Sequence, residues 1–209
     1  MLTFFAIIIV ILSAVIHEVS HGFVAYKLGD PTAKLAGRLT LNPLKHLDPF
    51  GSIILPIFLS LIPGGIIFGW AKPVPYNPFN LKNPEKGAAQ IALAGPLSNF
   101  ILAFLFGVVV RLTFNSPSPF LNNVNFLATL IVMINITLGV FNLVPIPPLD
   151  GAKVLQYLIP DRFYKIKIFL NENNLYGWFL LMIFILVGFS FITPLINFIF
   201  KLLTGVNFY

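Results

Sequence analysis

The chain has 209 residues, of which 57% are hydrophobic and only 10% charged, with a mean hydropathy of +0.91; that composition excludes a soluble globular domain and marks a membrane protein that associates with the lipid bilayer. Its net charge of +6 comes from 13 Lys and Arg spread between apolar runs, not clustered on one amphipathic face, so they read as loop markers and no nucleic-acid partner is expected. There is no cysteine, which excludes a disulfide framework and a thiolate metal site and leaves histidine and carboxylate to bind any transition metal.

No stretch is polar enough for a separate aqueous domain, so residues 1 to 209 read as a single integral-membrane domain. Leu2 to Leu28 is the first span. Its 27 residues, at about 1.5 Å each, exceed the roughly 30 Å hydrocarbon core, so it tilts or projects into the interface. It has no basic n-region and no small-residue cleavage site, and is read as a retained span, not a signal peptide. Gly29, Asp30 and Pro31 end it. Leu35, Leu39 and Leu41 then give a weak alternation that suits a short surface strand, and Lys72 to Tyr76 suits a second.

Pro49 to Ile67 is apolar but carries Pro49, Pro56, Pro63, Gly51, Gly64 and Gly65, poor material for one straight spanning helix and better suited to a re-entrant segment. Ala88 to Val110, containing AGPLSN, and Val124 to Val144 are clear spans, after which Pro145, Pro147 and Pro148 break the chain just before Asp150. A polar stretch from Lys153 to Asn174 precedes Tyr176 to Ile192, a span of 17 residues, and the tail after Pro194 reads as a short further segment. The expected fold is an all-α polytopic membrane protein of four to six transmembrane helices, with a re-entrant segment and room for a small surface β-sheet.

Lys and Arg counts test the re-entrant reading. If residues 49 to 67 crossed the bilayer, the loop positives would divide five against seven, which is no bias; if the segment dips in and returns, eleven share one side against one. The second arrangement puts the N-terminus outside and residues 145 to 175 in the cytoplasm. It also makes the first span and that at 124 to 144 parallel. His17 then lies about 22 to 25 Å along its helix, in the cytoplasmic half of the cell membrane, within reach of Asp150.

His17, Glu18 and His21 form HEVSH inside the otherwise apolar first helix. The i, i+4 spacing offsets the two imidazoles by only about 40°, so both can bind one ion, while Glu18, about 100° round from His17, suits a base that takes a proton from water beside the metal. Ionisable groups at membrane depth cost on the order of 2.5 to 3.5 kcal/mol each when charged, so they need a task or partners. The alternatives are a hydrogen-bonded cluster that packs helices, and a proton or ion pathway. Catalytic zinc takes three protein ligands and an open water position. Of the other acidic residues only Asp150 directly follows a membrane span and its helix break; taken alone, Asp150 also suits a helix N-cap.

The sequence resembles the site-2 protease family of intramembrane zinc metalloproteases over most of its length. HEVSHGFVAYKLG looks like the family's HExxH helix, AGPLSN like its central span, and FNLVPIPPLDG like its N-x-x-P-x-x-x-x-D-G motif, here Asn142, Pro145, Asp150 and Gly151. The resemblance implies one zinc ion (Zn2+) held by His17, His21 and Asp150, Glu18 as catalytic base, and single-pass transmembrane protein substrates cleaved in regulated intramembrane proteolysis. The chain is similar to the minimal bacterial branch that has no PDZ domain.

Three further polar residues are set beside that reading. His46 lies in an interfacial loop, where a solvated or hydrogen-bonded imidazole is the plain expectation. Asn142 is the first candidate to stabilise an oxyanion or bind substrate backbone and Asn99 the second, against simple helix packing for either. The rival from another class is a metal transporter in which His17, His21 and Asp150 form a transit site; it leaves Glu18 without a role.

Overall fold

The computed structural model describes residues 2–54, 71–170 and 175–207. Helix α1 (Leu2–Lys27) is an apolar run with Lys27 in its last turn, where a cation complements the helix dipole. It ends in a Schellman motif. Gly29 adopts φ 104°, a region a side chain rarely enters, and the N–H groups of Gly29 and Asp30 close on the carbonyls of Tyr26 and Ala25 at 3.2 and 2.9 Å.

Asp30 is fully buried and staples this corner to the chain ahead of the next long helix. It accepts from Thr32 N, Thr32 Oγ1 and Asn80 Nδ2 at Oδ1, and from Asn77 N at Oδ2. Burial alone would raise its pKa, but these hydrogen bonds, led by Thr32 and Asn80, hold it below the ordinary 3.8.

The expected surface strands are absent: no strand occurs among the described residues. Leu35 closes the short helix α2 (Thr32–Leu35), and the chain then turns at Gly37, φ 65°. The leucine alternation is therefore one helical turn followed by a loop. Residues 71 to 77 run as irregular chain, but Pro73 and Pro75 have no N–H to give a ladder. The neighbouring N–H groups go elsewhere, Lys72 to the His46 carbonyl at 2.8 Å and Val74 to the Glu18 carboxylate at 2.9 Å. Of the expected re-entrant segment, Pro49–Ile54 form a π-helical turn; residues 55 to 67 lie outside the described residues.

Helix α3 (Pro84–Thr113) starts where the sequence is built for a start: Asn83 accepts the Lys86 N–H at 3.0 Å, Pro84 opens the first turn and Glu85 adds an anion there. It is the central helix, packed against α1, α4 (Pro119–Asn142), α5 (Asp150–Leu158) and α8 (Phe189–Thr204). In lipid there is no hydrophobic force to join helices, so close approach of small residues does the work. Ala103 and Ala128 are fully buried between α3 and α4, with Val110, Val132, Ile136, Ile196 and Phe200 around them.

The last span departs from expectation. Helix α6 (Tyr164–Phe169) leads to α7 (Leu175–Ile183), which runs through a π turn (Phe184–Gly188) into α8, and Pro194 lies inside α8 rather than ending a span. Residues 175 to 204 thus make one helical run of 30 residues, long and apolar enough for a single crossing, rather than a 17-residue span plus a short segment. The reason is energetic. A proline in a helix costs about 3 kcal/mol, whereas ending a helix in hydrocarbon strands several backbone groups at several kcal/mol each. Thr193 and Ser190 hydroxyls donate to the Phe189 and Val187 carbonyls nearby.

Among the described residues four helices are long and apolar enough to cross a membrane, residues 4–27, 84–113, 119–142 and 175–204, so this is an all-α, multi-pass membrane protein. Arg111, at the end of α3, donates to the Leu202 and Leu203 carbonyls at 2.5 and 2.7 Å, which brings the ends of α3 and α8 together. Asn99 bonds Asn135 while Asn125 Nδ2 donates to the Val110 carbonyl, so α4 runs antiparallel to α3; His17 meets Asn99 and His21 meets the Ile91 carbonyl, so α1 is also antiparallel to α3 and parallel to α4.

Candidate metal centre

The i, i+4 spacing on α1 does what it predicts: the His17 and His21 rings face one another edge to face, 4.6 Å apart between centroids. Both are buried, at 7% and 9% exposure. Each ring is held from behind by α3. His21 Nδ1 donates to the Ile91 carbonyl at 2.6 Å, and His17 Nδ1 lies 2.6 Å from Asn99 Oδ1. Ile91, Gly95 and Asn99 are spaced four apart and so lie on one face of α3. The crossing is tight, because a Cβ on Gly95 would stand 2.5 Å from His21 Nε2 and would also meet His17 Nε2.

Asp150 arrives from the other side of the site. The chain leaves α4, passes through the proline turn and enters α5, with Leu149 at the N-cap position and Asp150 as its first residue. The Asp150 carboxylate is therefore not spent on capping; Oδ2 lies 3.1 Å from His17 Nε2 and 3.2 Å from His21 Nε2. Gly151 lets the turn close, since a Cβ there would fall 2.6 Å from the Val144 carbonyl oxygen and closer still to that of Leu143.

These donors fit a metal ion. A backbone carbonyl only accepts, so His21 must carry its proton on Nδ1, which leaves the Nε2 lone pair facing inward. With Asn99 Oδ1 toward His17, the same holds there. Two imidazole lone pairs and a carboxylate oxygen then converge, all within 4.8 Å of one another, and three electron-rich atoms at that range call for a cation between them. A tetrahedral zinc with bonds near 2.0 to 2.1 Å separates its ligand atoms by about 3.3 to 3.4 Å, close to the 3.1 and 3.2 Å found here. Two imidazoles and one carboxylate, with outer hydrogen bonds fixing each ring, is the donor set of a catalytic zinc site with an open position.

Glu18 is half-buried on the next face of α1, and its Oε2 accepts the Val74 N–H at 2.9 Å. His46 lies apart from this cluster, buried, with Nε2 donating to the Thr40 carbonyl at 2.9 Å; it is hydrogen-bonded rather than solvated. Asn142 Nδ2 donates back to the Leu138 carbonyl on its own helix, whereas Asn99 touches a candidate ligand. Sequence reasoning missed the Ile91 carbonyl, the Val74 N–H and the fully buried Asn135, which bonds Asn99. Asn135 had one usable signal, an amide deep in an apolar span, where polar groups are costly unless partnered.

The sequence model described as "Peptidase family M50" matches residues 4–126 and 109–188. The chain is 37% identical to "Putative zinc metalloprotease YwhC" of Bacillus subtilis, over 91% of this chain and 81% of that protein. It is 31% identical to Rip2 of Mycolicibacterium smegmatis, which carries the same description, over 86% of this chain and 71% of that one. A zinc metalloprotease of Methanocaldococcus jannaschii is 28% identical over 78% of this chain, but only 38% of the longer relative. No solved structure matches. A family match across most of the chain, together with 37% identity over nine-tenths of it, makes the chain a member of peptidase family M50, the site-2 protease family, and a zinc-dependent protease of the membrane.

Proposed function

We propose that the chain, as a single integral-membrane domain, hydrolyses peptide bonds within or near the transmembrane segments of single-pass, membrane-tethered proteins, the reaction of regulated intramembrane proteolysis. His17, His21 and Asp150 hold one zinc ion per chain, and Glu18 is the catalytic base. The observation that carries this reading is the convergence of His17 Nε2, His21 Nε2 and Asp150 Oδ2 inside the helix bundle.

When bound, zinc supplies an acidified water and a Lewis acid for the scissile carbonyl. The residues supply the rest. Glu18, held at Oε2 by the Val74 N–H, takes the proton from the attacking water at Oε1 and returns it to the leaving amine. Asn99 and the Ile91 carbonyl keep the imidazoles turned with Nε2 inward. A helical substrate has its amides bonded internally, so it unwinds locally before it can be attacked.

Charge favours a cytoplasmic site. Arg111 and Lys201 belong to the end where α3 and α8 meet, while the other eleven Lys and Arg lie in the loops, short helices and helix ends toward the opposite end, next to HEVSH and Asp150. By the positive-inside rule this distribution supports a cytoplasmic orientation for that end, and with it a site in the cytoplasmic half of the cell membrane.

The test uses purified protein and synthetic transmembrane peptides, comparing wild type with Glu18→Gln. Chelator-sensitive cleavage that is lost in Glu18→Gln at unchanged zinc content is expected. Wild-type protein that binds zinc yet cleaves none of a varied peptide set refutes the proposal.

A further inference from the structure

Asn135 sits in the middle of α4, fully buried, and takes no part in the chemistry above. Its Nδ2 donates to the Ile131 carbonyl and to Ser13 Oγ, each at 2.9 Å, and its Oδ1 accepts from Asn99 Nδ2 at 2.9 Å. Asn99 Oδ1 in turn faces His17 Nδ1 at 2.6 Å. Four side chains on α1, α3 and α4 therefore form one line that ends on a candidate metal ligand, on the ring atom away from the metal.

The line has a direction. An asparagine amide has nearly the same shape either way round, so its partners decide which end is oxygen. The Ile131 carbonyl can only accept, and this fixes the nitrogen end of Asn135. Its oxygen then faces Asn99, which must offer its own nitrogen there and its oxygen to His17. His17 Nδ1 is left no choice but to donate, so a proton stays on Nδ1 and Nε2, beside Asp150, is the ring atom left for a metal ion. His21 reaches the same state in a single step through the Ile91 carbonyl.

We infer that Asn135 is a positioning residue for the metal centre: acting through Asn99, it sets the tautomer of His17. The inference rests on the reading of His17 as a ligand. An amide that only packed helices together would need one bond across one interface. Here Asn135 joins three helices, and reversal of Asn99 would move the His17 proton to Nε2, into the space between His21 and Asp150. Partners behind a ligating histidine typically change metal affinity by about 10- to 100-fold when removed.

The test is made on the full chain, purified metal-free with 15N-labelled histidine rings. The protein has three histidines, so the His17 signals are assigned by substituting His46 and His21 in turn. Wild type is expected to carry the His17 proton on Nδ1, and Asn135→Leu, similar in volume but without either hydrogen-bonding end, a mixture of tautomers. Zinc affinity, measured by competition with a chelator, is expected to fall about 10- to 100-fold in Asn135→Leu. Asn135→Asp, whose neutral acid keeps the acceptor toward Asn99 and one of the two donors, restores most of it. Should Asn135→Leu not fold, Asn135→Gln, which displaces the amide by one methylene, is read in the same way. A wild type that binds zinc, with tautomer and affinity unmoved in the variant, overturns this inference alone. A wild type that binds no zinc overturns the reading of the site and this inference with it.

Discussion

Replacing Gly95 by alanine tests whether the α1–α3 crossing is built around the imidazoles. The added methyl would stand 2.5 Å from His21 Nε2 and Cε1, where an ordinary contact is about 3.5 Å, so one ring or one helix must retreat by about 1 Å. The rings cannot yield freely, because each Nδ1 is held at 2.6 Å by a group on the same helix as Gly95. Overpacking of this kind costs about 1 to 3 kcal/mol. In a helix alanine also gains roughly 0.5 to 1 kcal/mol over glycine, so the metal-free protein loses between about 0 and 2.5 kcal/mol. On the proposed ligand set, zinc binding needs whichever ring gave way brought back and loses up to the overpacking energy, about 5- to 150-fold in Kd. Chelator competition reads the Kd and thermal unfolding of the metal-free protein reads the fold. Gly139→Ala is the control, since its methyl would press the Phe100 ring at 3.0 Å in the α3–α4 interface and should lower Tm without moving zinc affinity. A folded Gly95→Ala protein with wild-type zinc affinity would refute the reasoning.

Val74→Pro removes the N–H that holds Glu18. A hydrogen bond to a charged group is worth about 1.5 to 3 kcal/mol, so peptide turnover should drop about tenfold or more at constant zinc content; unchanged turnover would count against Val74 as a support for the base. Asp30→Asn should be destabilising at neutral pH, because one of the donors now facing the carboxylate would meet an NH2 group. Asp30 has a lowered folded-state pKa, so its contribution is present above the unfolded value of 3.8 and is lost as pH falls through the folded one. The Tm difference between wild type and Asp30→Asn should accordingly hold from pH 7 down to about 4 and close below it; a difference that does not change with pH would refute the assignment.

Much of the candidate site's geometry is legible in the sequence because local periodicity decides it. His17, Glu18 and His21 need only the pitch of one helix, and Asp150 stands out as the acidic residue behind a span and its proline break. The helices of the bundle follow from apolar length, though apolar length alone begins the central span at Ala88, whereas its helix starts at Pro84 behind the Asn83 cap. Residues whose role depends on another helix are a different matter. Asn99, Asn135 and Asn142 are alike as amides in apolar spans, and only the crossing of α1, α3 and α4 separates the one that meets His17 from the one that bonds its own helix. The same is true of Gly95, whose importance is the ring opposite it. Leucine alternation misled at residues 35 to 41 because period 2 over so few positions is also produced by a helical turn running into a loop. Pro194 misled because rules for water end helices too readily in lipid.

Chain order gives the site a sequence of manufacture. The two imidazoles and both of their α3 partners lie within the first 99 residues, so the pair can be set as soon as α1 and α3 meet in the bilayer. Asp150 leaves the ribosome about fifty residues after Asn99, and Gly151 must then lodge against the Leu143 and Val144 carbonyls to bring it home. On the proposed ligand set, a nascent chain thus holds a prepared half-site for as long as α4 and the proline turn take to emerge, and it gains its third donor only when α1, α3 and α4 all exist to enclose it. A protease assembled in that order is not armed while the helices that wall its centre are still missing.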